Sequence, residues 1–108
     1  MLNEQLGKLL QQAQKLQADV GRVQEDLKNT RIETDVDDGS IKIIVNGRQQ
    51  IIDIILDKGL IHPANAKIIQ DLLVKGVNKA LEQSKNRAYQ EINKVTGGVD
   101  LSHIPGLF

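Results

Sequence analysis

Residues 32–57 read Ile32-Glu33-Thr34-Asp35-Val36-Asp37-Asp38-Gly39-Ser40-Ile41-Lys42-Ile43-Ile44-Val45-Asn46-Gly47-Arg48-Gln49-Gln50-Ile51-Ile52-Asp53-Ile54-Ile55-Leu56-Asp57. Ile32, Thr34 and Val36 alternate with Arg31, Glu33 and Asp35, the period of a strand with one face toward a core. Asp37-Asp38-Gly39 has turn chemistry, because Asp and Gly tolerate positive φ. Ile41, Ile43 and Val45 resume the alternation up to Asn46-Gly47, a dipeptide suited to a type I′ hairpin turn. A third strand follows from about Arg48 to Asp57. The segment therefore reads as a three-stranded antiparallel meander.

Its outer face is not polar. Ile51 and Ile55 stand opposite Ile52, Ile54 and Leu56, and Ile44 stands opposite Ile41, Ile43 and Val45. Both faces then need cover, and a helix of the same chain can supply only one of them. The other calls for a second copy, with Ile44, Ile51 and Ile55 at the dimer interface.

On the N-terminal side the period changes to that of a helix. Leu2, Leu6, Leu9, Ala13, Leu16, Val20, Val23 and Leu27 recur in steps of four and three, a coiled-coil seam. Gly7 and Gly21 weaken that helix by about 1 kcal/mol each relative to Ala. On the C-terminal side, Ile69, Leu73, Val77, Ala80, Ser84, Ala88, Ile92 and Val95 mark one stripe of a second helix from about Pro63 to Val95. Pro63 suits its first turn and Gly97-Gly98 its end. At 1.5 Å per residue these helices reach about 35–50 Å, whereas a short strand spans about 20 Å. The helices must project beyond the sheet. The expected fold is α+β, in the order α-β-β-β-α, with residues 1–98 as one domain and 99–108 as an irregular tail.

The composition narrows the function. The chain has 108 residues, 14 basic against 14 acidic, with one Phe, one Tyr and no Trp, so its core must be aliphatic. It has no cysteine, which removes disulfides, thiolate nucleophiles and sulfur metal sites. There is no signal-peptide pattern and no apolar run approaching a membrane span, so the reading is cytoplasmic with no membrane partner. A neutral chain can attract phosphate only where its charge is segregated. On the first helix Lys8, Lys15 and Arg22 share one heptad position, while Glu4, Asp19, Glu25 and Asp26 fall on two others. The stripe, extended by Lys28 and Arg31, could track a DNA backbone. The same spacing also describes the solvated outer face of an ordinary paired helix. Lys75, Lys79, Lys85, Arg87 and Lys94 wind around the second helix among acidic residues, and of these Arg87 and Lys94 lie far enough along it to add phosphate contacts.

Other constellations lead nowhere. Counting from Asp35 as the start of a calcium loop puts Ser40 where the motif needs Gly and Asn46 where it needs Glu. Asp53 and Asp57 share a strand face without a histidine nearby, and read as edge charges that oppose aggregation. His62 and His103 have no ligand spacing. There is no phosphate-binding glycine loop and no nucleophile elbow. No catalytic residue, metal, cofactor or small-molecule substrate is expected.

The order of elements and several motifs together resemble the YbaB/EbfC family of bacterial nucleoid-associated proteins. The likeness rests on the opening helix Leu9-Leu10-Gln11-Gln12-Ala13-Gln14-Lys15-Leu16-Gln17, the hairpin Gly39 to Gly47 and the strand leading to Ile54-Ile55-Leu56-Asp57. It continues through Asp71-Leu72-Leu73, Val77-Asn78-Lys79-Ala80, Thr96-Gly97-Gly98 and the closing Pro105-Gly106-Leu107-Phe108. The acidic turn Asp35 to Gly39 departs from the small, Gly-rich turn of relatives and would repel phosphate, as Lys58-Gly59 departs from their usual loop. The resemblance implies a tweezer-like homodimer, joined at the sheet with projecting helices, that binds double-stranded DNA in the nucleoid with little or family-variable sequence preference and influences nucleoid organisation and gene expression. It favours a DNA role for Lys8, Lys15 and Arg22. Two other readings remain: a prefoldin-like coiled-coil chaperone, and a dimeric protein-interaction module.

Overall fold

The computed structural model describes residues 2–97. Helix α1 (Leu2–Lys28) leads into strands β1 (Ile32–Val36), β2 (Ile41–Val45) and β3 (Ile51–Leu56). Two single 3₁₀ turns, Lys58–Leu60 and Pro63–Asn65, then precede helix α2 (Ala66–Thr96). The sheet is an antiparallel meander in the order β1-β2-β3, so the expected α-β-β-β-α fold is the one observed. The assignment of residues 99–108 as a tail, and His103 within it, lies outside the described residues.

The core forms where α2 crosses β1 and β2. Val36, Ile41, Ile43, Val45 and Ala80 are buried together, with Ile32, Leu56, Leu60, Leu72, Leu73 and Val77 packed around them. The stripe read from the sequence is the stripe that packs: Ala80, Ser84, Ala88 and Ile92 are buried along α2. It also includes Gly76, where a Cβ would lie 2.5 Å from Val36 Cγ2 and 2.6 Å from Ile43 Cδ1. Only a glycine lets the helix approach the sheet this closely.

β3 differs from expectation. Ile52 and Ile54, expected on the core face, are exposed, as are Ile51 and Ile55. Two causes combine. α2 packs over β1 and β2 but scarcely reaches β3. Pairing also changes register between Ile44↔Asp53 and Val45↔Ile51, which leaves Ile52 as the extra residue of a bulge on this edge strand. Ile44 needs the opposite correction. Placed by sequence on the uncovered face, it is 0% exposed, because it sits in the central strand between Glu33 and Asp53. It offers no surface to a partner.

Both turns follow from backbone chemistry. At the first, Asp37, Asp38 and Gly39 all take positive φ. At the second, the expected two-residue turn at Asn46-Gly47 gives way to a three-residue loop in which Gln49 carries the positive φ, the pattern of a type I turn followed by a left-handed residue. Asn46 Oδ1 accepts from the backbone N–H groups of Arg48 and Gln50, and Asn46 N–H donates to the Gln50 carbonyl. Gly47 is used for proximity instead of positive φ: its N–H donates to the Leu27 carbonyl at 2.7 Å, and a Cβ there would stand 2.6 Å from Leu27 Cδ2. One of the carbonyls left open at the end of α1 is thereby satisfied. The Thr30 hydroxyl serves the Asp26 carbonyl, and the Asn29 amide the Glu25 carbonyl.

The helices run antiparallel. Ser84 of α2 binds the loop that abuts Leu27, while Arg87 and Glu91 line one cleft with Val23, Asp26, Leu27 and Thr30. Movement back along α1 is therefore movement forward along α2. The seam of α1 is covered only in its second half. Val20 and Leu27 are buried and Leu16 and Val23 half-buried, but Leu2, Leu6, Leu9 and Ala13 are exposed. The coiled-coil seam expected over the whole helix thus finds a partner helix within the chain over half its length. Residues 2–13 project past the end of α2 as a lone arm of about 18 Å at 1.5 Å per residue. The molecule measures 74 × 21 × 18 Å, with a radius of gyration of 19.6 Å, against about 13 Å for a compact chain of about 100 residues.

Candidate nucleic-acid interface

The basic residues singled out by sequence fall into two groups. Lys8 lies on the exposed arm of α1 and Lys15 just past it, both exposed and two turns apart on one stripe, and neither has an ion pair among the described residues. The others near a carboxylate are engaged. Arg22 pairs with Asp19 at 3.3 Å, Arg31 with Glu33 at 3.2 Å, Arg87 with Glu91 at 3.4 Å and Lys94 with Glu91 at 3.0 Å.

The charge on α1 is less cleanly sorted than heptad positions imply. At 100° per residue Asp19 and Asp26 stand only about 40° from the Lys15–Arg22 line, close enough for the Arg22–Asp19 pair to form. Lys28 does not extend the stripe either, since it lies about 120° around the helix from Arg22. Its place is at the foot of α1, beside the loop that Gly47 docks onto Leu27. That docking brings Arg48 to the same end of the helix, a cation the sequence reading passed over. No local signal marks it, because the contact depends on a glycine approaching a helix terminus 20 residues earlier in the chain.

These ion pairs are exposed and shared with water, so each contributes about 0–1 kcal/mol and can be exchanged for a phosphate at little cost. Glu91 is the hub of the set on α2. Its hydrogen bond from Lys94, then the charges of Lys94 and Arg87, hold its carboxyl below the usual 4.5 against an opposing effect of partial burial. At neutral pH it is ionised and neutralises part of the charge that Arg87 and Lys94 would offer.

The carboxylates and histidine set aside by sequence have local structural work. Asp53 accepts from the Ile54 N–H. Asp57 caps the turn that follows β3, and His62 Nδ1 accepts from the Ala64 N–H at the turn before α2. No group of three or more His, Asp or Glu side chains that could hold a metal stands together among the described residues. No described helix is long and apolar enough to cross a membrane.

Besides the leucines of the α1 arm, a second exposed apolar surface lies elsewhere. Ile51, Ile52, Ile54 and Ile55 of β3 are exposed on both faces of the strand, and Ile61, Ile68 and Val74 are exposed on the turn and first half of α2. This places the uncovered apolar side chains of the sheet along one edge, at the opposite end of the molecule from the lysine-bearing arm of α1.

Comparison with known proteins fixes the lineage. A nucleoid-associated protein of Desulforamulus reducens is 38% identical over 108 residues, all of both chains. One of Ruminiclostridium cellulolyticum is 37% identical over 103 residues, covering 95% of this chain and 88% of that protein. One of Pelotomaculum thermopropionicum is 33% identical over the whole of both chains. The fold matches the crystal structure of an uncharacterised Helicobacter pylori protein with a TM-score of 0.68 at 22% identity, covering 85% of this chain and 95% of that one. The model of the YbaB/EbfC DNA-binding family matches residues 3–99, and the chain belongs to that family.

Proposed function

We propose that this protein binds double-stranded DNA as a homodimer, mainly through the phosphate backbone, and acts in nucleoid organisation and gene regulation in the bacterial cytoplasm. The observation that carries the reading is the pair Lys8 and Lys15, exposed two turns apart on one stripe of α1, neither with an ion pair among the described residues. Cations without an internal carboxylate release counterions on meeting phosphate and lose nothing in exchange. Arg22, Lys28 and Arg31 add charge toward the foot of the helix, and Arg87 and Lys94 supply a second line once Glu91 is displaced. Contacts to phosphate of this kind give affinity and little sequence preference.

Dimerisation follows from β3. Four exposed isoleucines on a bulged edge strand, continuous in sequence with exposed Ile61, Ile68 and Val74, form the apolar edge that a free protomer would leave wet. Of the residues proposed for the interface, Ile51 and Ile55 are on this surface.

Binding of a random-sequence duplex should be measured by fluorescence anisotropy at two salt concentrations, beside the Lys8→Ala/Lys15→Ala/Arg22→Ala variant. Affinity should fall steeply as salt rises, and the variant should bind more weakly with a shallower salt slope. Its oligomeric state should be unchanged. Undetectable binding at low salt would sink the proposal, and salt-insensitive binding would point instead to apolar capture of protein clients by the helix tip.

A further inference from the structure

A shallow hollow of about 250 Å³ opens where the flank of α2 meets the start of β1. Its walls are Gln83, Asn86, Arg87 and Gln90 of α2 and Ile32 of β1, with no carboxylate among the described residues that line it. The four polar residues follow one another at steps of three, one and three, which gathers them on one helix face. All four are exposed.

The hollow presents donors. The buried Thr34 hydroxyl donates to Gln83 Oε1, which commits the acceptor end of that amide and leaves its NH2 group to donate. Arg87 meets Glu91 through Nε at 3.4 Å, only one of the five N–H donors of a guanidinium. The side chains of Asn86 and Gln90 have no hydrogen-bond partner among the described residues.

The hollow is also on the side of the molecule that carries the lysine stripe. Asp26 stands beside the Lys15–Arg22 line and shares one cleft with Arg87, and Arg87 in turn lines the hollow. From Lys8 to Asp26 is about 27 Å along α1, so this flank holds cations at one end and neutral donors at the other within about 34 Å, one turn of duplex. A concave seat suits a ridge, and the ridge of a duplex is its sugar–phosphate backbone, whose oxygens accept from Asn, Gln and Arg. Base edges lie in a groove and call for projecting side chains instead.

Resting on the duplex-binding reading above, we propose that this hollow seats a backbone phosphate of the same duplex, with Gln83 Nε2, Asn86 Nδ2, Gln90 Nε2 and the Arg87 guanidinium as its donors. The lysine stripe supplies attraction, and the hollow fixes where one strand lies on the flank.

Neutral donors release no counterions, so their loss weakens binding without changing its dependence on salt. Asn86→Ala/Gln90→Ala alters two exposed helical residues to the best helix former, and circular dichroism should be parental. An A·T-rich and a G·C-rich duplex should both bind about three- to tenfold more weakly, with the salt slope of the parent. Unchanged affinity would overturn the proposal. So would a loss confined to the A·T-rich duplex, because the amides would then be reading adenine. In the parent, the side-chain NH2 resonances of Gln83, Asn86 and Gln90 should shift when duplex is added, and resonances that stay in place at saturation would count against the seat equally. A parent that binds no duplex at low salt would remove the DNA reading itself, and the seat with it.

Discussion

At the scale of single residues, the junction of hairpin, α1 and α2 depends on one small hydroxyl. Ser84 Oγ donates to the Asn46 carbonyl at 2.7 Å and accepts from the Gln49 N–H at 2.9 Å, with no exposure to solvent. In Ser84→Ala both backbone groups lose their partner, and a stability loss of about 1–3 kcal/mol is expected. Urea denaturation should show it as a lower midpoint with an unchanged slope. Glu91 gives a prediction of the other sign. Because its carboxyl titrates below the usual range, its contribution to stability is full above about pH 4.5 and fades as the pH falls through its lowered value. Glu91→Gln removes that pH-dependent part and frees Arg87 and Lys94. Duplex binding at neutral pH and low salt should tighten several-fold, and unchanged affinity would exclude these two residues from the DNA contact. Ser84 was legible in the sequence only as an inward position on an apolar stripe. Its two bonds join residues 35 and 38 positions apart, a distance that no local pattern reports.

At the scale of elements, periodicity located both helices and all three strands, because each buries one face and repeats accordingly. It misplaced what depends on neighbours. The sides of β3 could not be assigned because the bulge at Ile52 breaks the alternation, and because α2 covers two strands of three. Ile44 looked like an outward residue because its period is outward, but a central strand buries both faces more readily than an edge. Glycines show the same division between local and global causes. Gly76 sits under Val36 and Ile43, whereas Gly21 has nothing within 4 Å of where a Cβ would stand. Gly76→Ala should destabilise by about 1–2 kcal/mol, overpacking outweighing the better helix propensity. Gly21→Ala should stabilise by up to about 1 kcal/mol. Thermal melts of the two variants should move in opposite directions.

At the scale of the whole molecule, the two proposed contacts are separated along a 74 Å axis, with the exposed isoleucines of β3 at the sheet and the unpaired Lys8 and Lys15 toward the free end of α1. Ile51→Lys/Ile55→Lys changes side chains already exposed in the protomer, so the fold should survive while the assembly dissociates. Light scattering after size-exclusion chromatography should find a monomer with parental circular dichroism, and its DNA affinity should drop because two arms no longer act together. The segregation could be anticipated from helices too long for their sheet. The half-covered seam could not, because the sequence reads alike where α2 accompanies α1 and where it stops. That arm is anchored at one end only, which makes it a cantilever. A tilt of about 10° at its root carries the tip sideways by about 3 Å, given its length at 1.5 Å per residue. If the proposed phosphate contacts lie on this helix, small rotations of this kind would let its lysines follow backbones of different shape through leverage at the anchor, with no repacking of the core.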